Sequence, residues 1–263
     1  MTTFHAIFLG ILQGITEFLP VSSSGHLLLA EHFMNISTTS LAFDVTLHVG
    51  TLLAVLIYFR KDWLKMAFSI FRGEQGKDDR RLLLLLIIGT VPGALLGFLF
   101  EDLVSTTFRS SWVVVGTLSG VALLLLAAEK VAVHTRSFNS FKIKDALIVG
   151  LAQALALIPG VSRSGITMTA GLFLGFERQA AARFSFLLSA PIVAGAGLYE
   201  ALKLLNGNAA HFNINFLWGF ISSFLSGLIA IAFLMRYLEK HNFYPFIAYR
   251  IILAGLVALA LLR

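Results

Sequence analysis

Long uninterrupted apolar stretches are the feature that most constrains how this chain can fold. Six of them have the length of a membrane-spanning helix, at about 43–59, 82–100, 112–129, 180–199, 216–235 and 246–262. Stretches of about 18 or more apolar residues are typical of helices that cross the bilayer core. Only 13% of the 263 residues are charged, against roughly 25% in soluble domains. The sequence therefore excludes a soluble globular protein and predicts a single integral membrane domain over residues 1–263.

The distribution of basic residues predicts how the chain is oriented in the membrane. No Lys or Arg precedes Arg60, whereas seven lie in the first connection, 60–81. The third and fifth connections, 130–144 and 236–245, are also basic. Because cytoplasmic loops carry an excess of Lys and Arg, these three connections are predicted inside and both chain ends outside. The net charge of +6 is thus explained by topology and by contact with membrane lipids, and no nucleic-acid partner is expected.

Two further apolar stretches, 4–35 and 146–176, are interrupted near their middles by Pro, Gly and Ser. Each is predicted to form a re-entrant hairpin of two half-helices, because a hairpin that returns to its own side preserves the alternation of the loops. Broken backbone at membrane depth is tolerated only where it faces protein or a water-filled cavity. Each hairpin tip is therefore a candidate for a functional site.

The two hairpins are copies of one another. A shift of 140 positions places Gly10, Gln13, Val21, Ser22, Ser24, Gly25 and Ala30 on Gly150, Gln153, Val161, Ser162, Ser164, Gly165 and Ala170. Repeat 1 covers about 4–130 and repeat 2 about 145–263. Because each repeat has one hairpin and three spans, an odd number, the halves must have opposite orientations and the tips can meet near the bilayer midplane. The predicted fold is an all-α polytopic membrane protein with six transmembrane helices, two re-entrant helical hairpins and an inverted-topology internal repeat.

The side chains that could react with or bind a substrate occur at positions where the two hairpins differ. Glu17, Ser23 and His26 in the first stand opposite Leu157, Arg163 and Ile166 in the second. The second half-helix of each hairpin follows a Ser-rich turn, so two helix N-termini are expected to face one cavity and to form a phosphate site. For Ser22 and Ser162, a plain N-cap role is an equal alternative. The residues predicted to bind the substrate are Gln13, Ser22, Ser24, Gly25, Ser162, Ser164, Gly165 and Thr167.

Glu17 needs a cationic partner, because an unpaired carboxylate at this depth would tend to take up a proton. The candidates are Arg163, whose planar fork suits phosphoryl oxygens, and a bound divalent cation, Mg²⁺ or Ca²⁺. His26 can act as a general acid, a base or a nucleophile. The histidines at positions 5, 32 and 48 are interpreted as structural. Since the chain has no cysteine, thiolate chemistry, disulfides and Cys-ligated metals are excluded.

Two motifs carry a family resemblance. The segments Glu17-Phe-Leu-Pro-Val-Ser-Ser-Ser-Gly-His26 and Pro159-Gly-Val-Ser-Arg-Ser-Gly-Ile-Thr167 closely resemble the bacterial undecaprenyl-diphosphate phosphatases, also called bacitracin resistance proteins. The likeness extends over the whole chain, including Phe184-Ser-Phe-Leu-Leu-Ser-Ala-Pro191 and Tyr244-Pro-Phe-Ile-Ala-Tyr-Arg250. It implies an enzyme of the bacterial inner membrane that hydrolyses undecaprenyl diphosphate to undecaprenyl phosphate and inorganic phosphate. This reaction recycles the lipid carrier for peptidoglycan synthesis.

The resemblance also implies roles for particular residues. Glu17 would be the acidic and metal-binding residue, Ser23 and His26 the reactive hydroxyl and imidazole, and Arg163, with Ser162 and Thr167, the phosphate ligands. Many relatives have Glu where this chain has Gln13, so a second metal-binding carboxylate is absent. Three routes of attack stay open: by Ser23, which is slightly favoured, by His26, or by water activated at Glu17. The reaction is expected on the periplasmic or outer face.

An alternative function is a polyprenyl-phosphate transporter or flippase, because inverted repeats with broken helices are also the architecture of secondary carriers. A carrier would need neither a metal nor a nucleophile. The sequence is compatible with a homodimer.

Overall fold

The computed structural model describes residues 1–34, 41–100, 110–206 and 213–262, and this part of the chain is helical without a β-strand. Short 3₁₀ turns lie at Gly73–Gly76, Phe138–Ser140 and Leu155–Leu157. The α-helices, numbered in chain order, are α1 (Thr3–Phe18), α2 (Ser23–Phe33), α3 (Leu41–Tyr58), α4 (Arg60–Ser69), α5 (Lys77–Leu99), α6 (Ser111–Val131), α7 (Ile143–Ala154), α8 (Arg163–Phe173), α9 (Arg178–Asn206), α10 (Ile214–Tyr237) and α11 (Tyr244–Leu261).

The membrane spans agree with the apolar stretches of the sequence. Five described helices, α5, α6, α9, α10 and α11, are long and apolar enough to cross a bilayer. A sixth span is obtained if α3 and α4, which are bent by 75° at their junction, count as one. The prediction of an all-α polytopic membrane protein is therefore confirmed.

The two interrupted stretches form helical hairpins that enter the protein from opposite ends. The start of α1 lies beside the start of α10, where Thr3 Oγ1 donates to Asn215 Oδ1 at 2.9 Å. The start of α7 lies beside that of α5, where Arg81 Nη2 donates to the Phe141 carbonyl at 2.7 Å. Since α5 follows the basic first connection, the second hairpin enters from the predicted cytoplasmic side and the first from the other side.

Each hairpin packs closely on a span of the other repeat. A Cβ added at Gly10 of α1 would lie 2.5 Å from the Gly219 carbonyl oxygen of α10. At the equivalent position of α7, a Cβ on Gly150 would lie 2.3 Å from the Gly89 carbonyl oxygen of α5. Because only glycine permits so close an approach of two helix backbones, the same contact occurs once in each half. It interlocks the two repeats.

Candidate active site at the two hairpin tips

The turns at the two tips have the same unusual backbone. Ser22 and Ser162, which occupy equivalent positions of the repeats, have φ angles of 77° and 72°. This left-handed conformation is costly for a residue other than glycine, and such strain collects at functional sites. Each hydroxyl accepts a hydrogen bond from a glycine N–H three residues later, Gly25 at 3.3 Å and Gly165 at 3.1 Å. Both serines are therefore N-caps, which was one of the two interpretations of these residues.

Direct hydrogen bonds join the two tips. Ser164 Oγ donates to the Leu19 carbonyl at 3.0 Å, and the Gly160 N–H donates to Ser24 Oγ at 3.3 Å. The expectation that the hairpins meet tip to tip agrees with these contacts. Ser164 and Ser24 thus both help to hold the tips together.

Arg250 of α11 holds both turns in place and was not among the predicted site residues. Its side chain is fully buried, and its guanidinium donates to the carbonyls of Pro20 in the first turn and of Gly160 and Val161 in the second, at 3.0 to 3.2 Å. It also donates to carbonyls of α6. An arginine inside an apolar stretch is costly, so the rule that singled out Glu17 and Arg163 applies equally to Arg250.

Glu17 is the centre of the hydrogen-bond network between the tips. Its Oε1 accepts from Arg163 Nη2 at 2.8 Å. Its Oε2 accepts from Ser23 Oγ at 2.8 Å and from Gln13 Nε2 at 3.2 Å. The carboxylate is buried, and the pair with Arg163 supplies the charge compensation that a buried anion requires. Of the two cations considered for Glu17, the structure places Arg163 against it.

A second hydroxyl network positions Arg163. Its Nη1 donates to the Ser185 carbonyl of α9 at 3.3 Å. Thr167 Oγ1 donates to the Arg163 carbonyl at 2.7 Å and lies 2.7 Å from Ser185 Oγ. Thr167 is buried and is not among the residues that line the cavity beside Glu17. Thr167 therefore contacts Arg163 and Ser185 and does not face that cavity, where it was expected to bind phosphate.

His26 faces away from Ser23. Its Nδ1 is 2.7 Å from the Ser22 carbonyl and its Nε2 is 2.6 Å from the hydroxyl of Tyr249 in α11. Because a carbonyl can only accept, Nδ1 carries a proton, and in the neutral ring Nε2 accepts from Tyr249. Ser23 donates to Glu17 in this geometry, so the group placed to accept the proton of Ser23 is Glu17 and not His26. The sequence could not reveal the difference, because Tyr249 is 223 residues from His26.

A cavity of about 410 Å³ lies between the tips, and we call it the site cavity. It is lined by Glu17, Ser23, Ser24, Leu27, Asp44, His48, Ala156, Ser162 and Arg163. His48, interpreted from sequence as structural, lies at this cavity, with Nδ1 3.0 Å from Gln13 Nε2. Asp44 and His48 are four residues apart on α3, a spacing that puts both on one helix face and that could have identified them.

The site offers few ligands for a divalent cation. Among the described residues there is no group of three or more His, Cys, Asp or Glu residues that could hold a metal. The Glu17 carboxylate and the buried Gln13 Oε1, which has no hydrogen-bond partner, are hard oxygen donors one helical turn apart. Mg²⁺ commonly binds through one or two protein oxygens, with water and substrate phosphates as its other ligands. Glu17 lines the site cavity and Gln13 lies one turn behind it, so Glu17 fits a cation that is bound together with a phosphate.

A second cavity of about 710 Å³ adjoins the first, and we call it the portal. The two cavities share Asp44, His48, Ala156 and Arg163. The portal lies between α3, α5 and α9 and is mainly apolar, with glycines at positions 93, 97, 195 and 197 along its walls. It lies towards the start of α3 and the end of α5, opposite the basic first connection.

Comparisons with known proteins agree with the two motifs. The family model described as "Bacitracin resistance protein BacA" matches residues 6–256. A relative from Rubrobacter xylanophilus is 48% identical over 98% of both chains. Relatives from Elusimicrobium minutum and Desulforudis audaxviator are 46% and 44% identical over 99% or more of each chain. All three carry the name undecaprenyl-diphosphatase.

Proposed function

The chain belongs to the bacitracin resistance protein BacA family, and we propose on this basis that it is an undecaprenyl-diphosphatase. It is a multi-pass membrane enzyme that hydrolyses undecaprenyl diphosphate to undecaprenyl phosphate and inorganic phosphate. The structural observation that carries the proposal is the hydrogen-bonded Ser23–Glu17–Arg163 cluster between the hairpin tips. It puts a hydroxyl, a proton acceptor and a guanidinium at one cavity, as phosphoryl transfer requires.

The geometry supports attack by Ser23. The terminal phosphate would lie in the site cavity against Arg163, whose fork stabilises charge on the phosphoryl oxygens. Ser23 Oγ would bond to phosphorus while its proton passes to Glu17 Oε2, its present hydrogen-bond partner. The bond from phosphorus to the bridging oxygen breaks, and undecaprenyl phosphate leaves with that oxygen. Glu17 passes this proton on to the departing phosphate oxygen and is a carboxylate again. Water then gives a proton to Glu17 and its oxygen to phosphorus, the bond from phosphorus to Ser23 Oγ breaks, and Glu17 returns the proton to Ser23 Oγ as inorganic phosphate is released.

We further propose that a divalent cation, Mg²⁺ or Ca²⁺, assists the reaction. Glu17 and Gln13 Oε1 would hold it together with the phosphates of the substrate. When bound, the cation would neutralise charge on the phosphoryl oxygens. Because the protein supplies few ligands, the cation is expected to bind weakly in the absence of substrate.

Release of phosphate tests the function directly. The purified protein in detergent, given undecaprenyl diphosphate, is expected to release inorganic phosphate, and a chelator is expected to reduce the rate by about tenfold or more, because one source of charge stabilisation is lost. Added Mg²⁺ or Ca²⁺ should restore it. A polyprenyl-phosphate carrier would release none, so absence of phosphate with folded protein would contradict the proposal. If the chelator leaves the rate unchanged, the proposal of a divalent cation would be wrong, while the proposed phosphatase activity would stand.

We also propose that the site opens towards the outer face of the bacterial inner membrane, with both chain ends outside. The proposal rests on the position of the portal, which lies at the end of the protein opposite the basic residues of 60–81. Basic connections are cytoplasmic by the positive-inside rule. A lipid diphosphate in the outer leaflet would then reach Arg163 through the portal, its tail remaining against apolar residues.

Labelling of single cysteines tests this orientation, and the absence of native cysteine makes every introduced thiol unique. A thiol at Gln75, in the turn before α5, is expected to react only from the cytoplasm. A thiol at Asn208, which precedes α10 and lies outside the described residues, is expected to react only from outside. Labelling of both positions by an impermeant reagent applied to intact cells would contradict the orientation.

A further inference from the structure

The portal contains a buried polar group that the mechanism above does not use, the side-chain amide of Gln153. This residue lines the portal and is only 4% exposed. Neither its Nε2 nor its Oε1 has a hydrogen-bond partner among the described residues. A buried amide without partners costs free energy. Such an amide in the wall of a cavity indicates a ligand that satisfies it.

Comparison with the other repeat explains why the Gln153 amide has no hydrogen-bond partner among the described residues. The equivalent residue, Gln13, donates from Nε2 to Glu17 Oε2 and lies against His48 Nδ1. In the second repeat the position of Glu17 is taken by Leu157. The position of His48 is taken by Ser189, if α3 and α9 are aligned on Phe43 and Phe184. Ser189 donates its hydroxyl to the Phe186 carbonyl of its own helix, at 2.6 Å. Both partners are thus absent on the portal side, while the polar side chain is retained.

The position of Gln153 restricts the chemistry of its ligand. Gln153 lines the portal and not the site cavity, whereas Arg163 lines both. A lipid diphosphate whose terminal phosphate lies beside Arg163 would therefore extend into the portal, one wall of which is formed by Gln153. Behind the terminal phosphate comes the inner phosphate, and behind that only hydrocarbon, which suits the apolar wall of the portal. The inner phosphate accepts hydrogen bonds and needs donors.

We propose that Gln153 Nε2 donates to the inner phosphate of the lipid diphosphate, the one that stays on the lipid after cleavage. This inference deepens the proposed function and rests on it. Gly93 leaves room for the amide, since a Cβ there would lie 3.2 Å from Gln153 Nε2. Gln153 would thus make the portal selective for a lipid diphosphate over a lipid monophosphate, whose phosphate binds beside Arg163 and leaves hydrocarbon at Gln153.

Binding of two farnesyl ligands to the full-length protein in detergent tests the assignment without reference to turnover. One ligand is a farnesyl diphosphate analogue in which a methylene group replaces the oxygen between the two phosphorus atoms, so that it cannot be hydrolysed there. The other ligand is farnesyl monophosphate. Gln153→Leu is expected to weaken binding of the diphosphate analogue by about tenfold or more, the scale of a lost hydrogen bond to a charged group. Binding of the monophosphate should change less than about threefold, because its phosphate does not reach Gln153. Calorimetry gives both dissociation constants.

Two further variants keep the test decisive. Gln153→Glu has the same shape and replaces a donor by a negative charge, so it should lower affinity for the analogue more than Gln153→Leu does. Gln179→Leu makes the same substitution on the cytoplasmic side, where Gln179 donates to the Met235 carbonyl, and should leave both constants unchanged. Wild-type selectivity in Gln153→Glu, or equal weakening of both ligands in Gln153→Leu, would overturn the inference. Gln153-dependent selectivity in a protein that releases no phosphate would overturn the proposed function instead.

Discussion

Replacement of Arg163 by lysine is expected to lower kcat/KM for undecaprenyl diphosphate by about 30-fold or more, equivalent to a loss of about 2 kcal/mol of transition-state stabilisation. Lysine keeps the positive charge and loses the planar fork. In the structure, one arm of that fork binds Glu17 and the other donates to the Ser185 carbonyl. A lysine ammonium on a flexible stem cannot hold both contacts and also present donors to a phosphate. Initial rates of phosphate release measure the effect.

A matched substitution separates this effect from a general cost of replacing arginine. Arg183 lies on the same helix as Ser185 and pairs with Asp62 at 2.7 Å, beside a cavity that Arg60 and Lys61 of the basic first connection also line. Arg183→Lys is expected to keep nearly normal turnover, because neither Arg183 nor Asp62 lines the site cavity. Near-normal turnover in Arg163→Lys, with the protein still folded, would show that the guanidinium does not bind the phosphate.

The helices and the meeting of the two tips could be predicted from sequence, because both depend on patterns that are local in the chain. A long apolar run predicts a membrane-spanning helix whatever the rest of the chain contains. The break in the first hairpin at Pro20 can likewise be recognised from the residues around it. The alignment of the repeats supplied the one long-range relation, since an odd number of elements in each copy forces opposite orientations. The family resemblance, now confirmed by the match over residues 6–256, was likewise carried by two short motifs.

Arg163 was predicted as a partner of Glu17, whereas other partners of the site residues could not be predicted, because they come from helices distant in sequence. Tyr249 reaches His26 from the last helix, and Arg250, one residue later, binds both turns. His48 meets Gln13 from α3. A single sequence indicates that a charged residue in an apolar stretch needs partners and does not say which ones.

A phosphoserine intermediate at Ser23 is expected during turnover. Ser23 Oγ lies 2.8 Å from Glu17 Oε2 and lines the site cavity together with Arg163. His26, by contrast, has both ring nitrogens hydrogen-bonded elsewhere, to the Ser22 carbonyl and the Tyr249 hydroxyl, and is not among the residues that line that cavity. We therefore expect attack by Ser23 with Glu17 as the proton acceptor, and we expect His26 to brace the first tip.

The three routes of attack leave different products, so trapping can separate them. After rapid acid quenching of enzyme mixed with terminally labelled substrate, a phosphoserine survives, a phosphohistidine is lost, and direct attack by water leaves no label on the protein. Peptide mapping is expected to place acid-stable label on the peptide that contains Ser23. Label that resists base and is lost in acid would instead identify His26.

Removal of the hydroxyl gives the stricter test, because trapping can fail when the intermediate breaks down faster than it forms. Ser23→Ala is expected to lower kcat by about 10³-fold or more, since loss of a nucleophile removes the covalent route and leaves only the charge stabilisation of the site. Ser140→Ala, in an exposed turn, should have no effect. If Glu17 instead activates water, Ser23→Ala would keep substantial turnover while Glu17→Gln would lose it, and the serine assignment would then be wrong whatever trapping shows. Loss of turnover in both variants, with binding of the farnesyl diphosphate analogue retained by Ser23→Ala, is the result that attack by Ser23 requires.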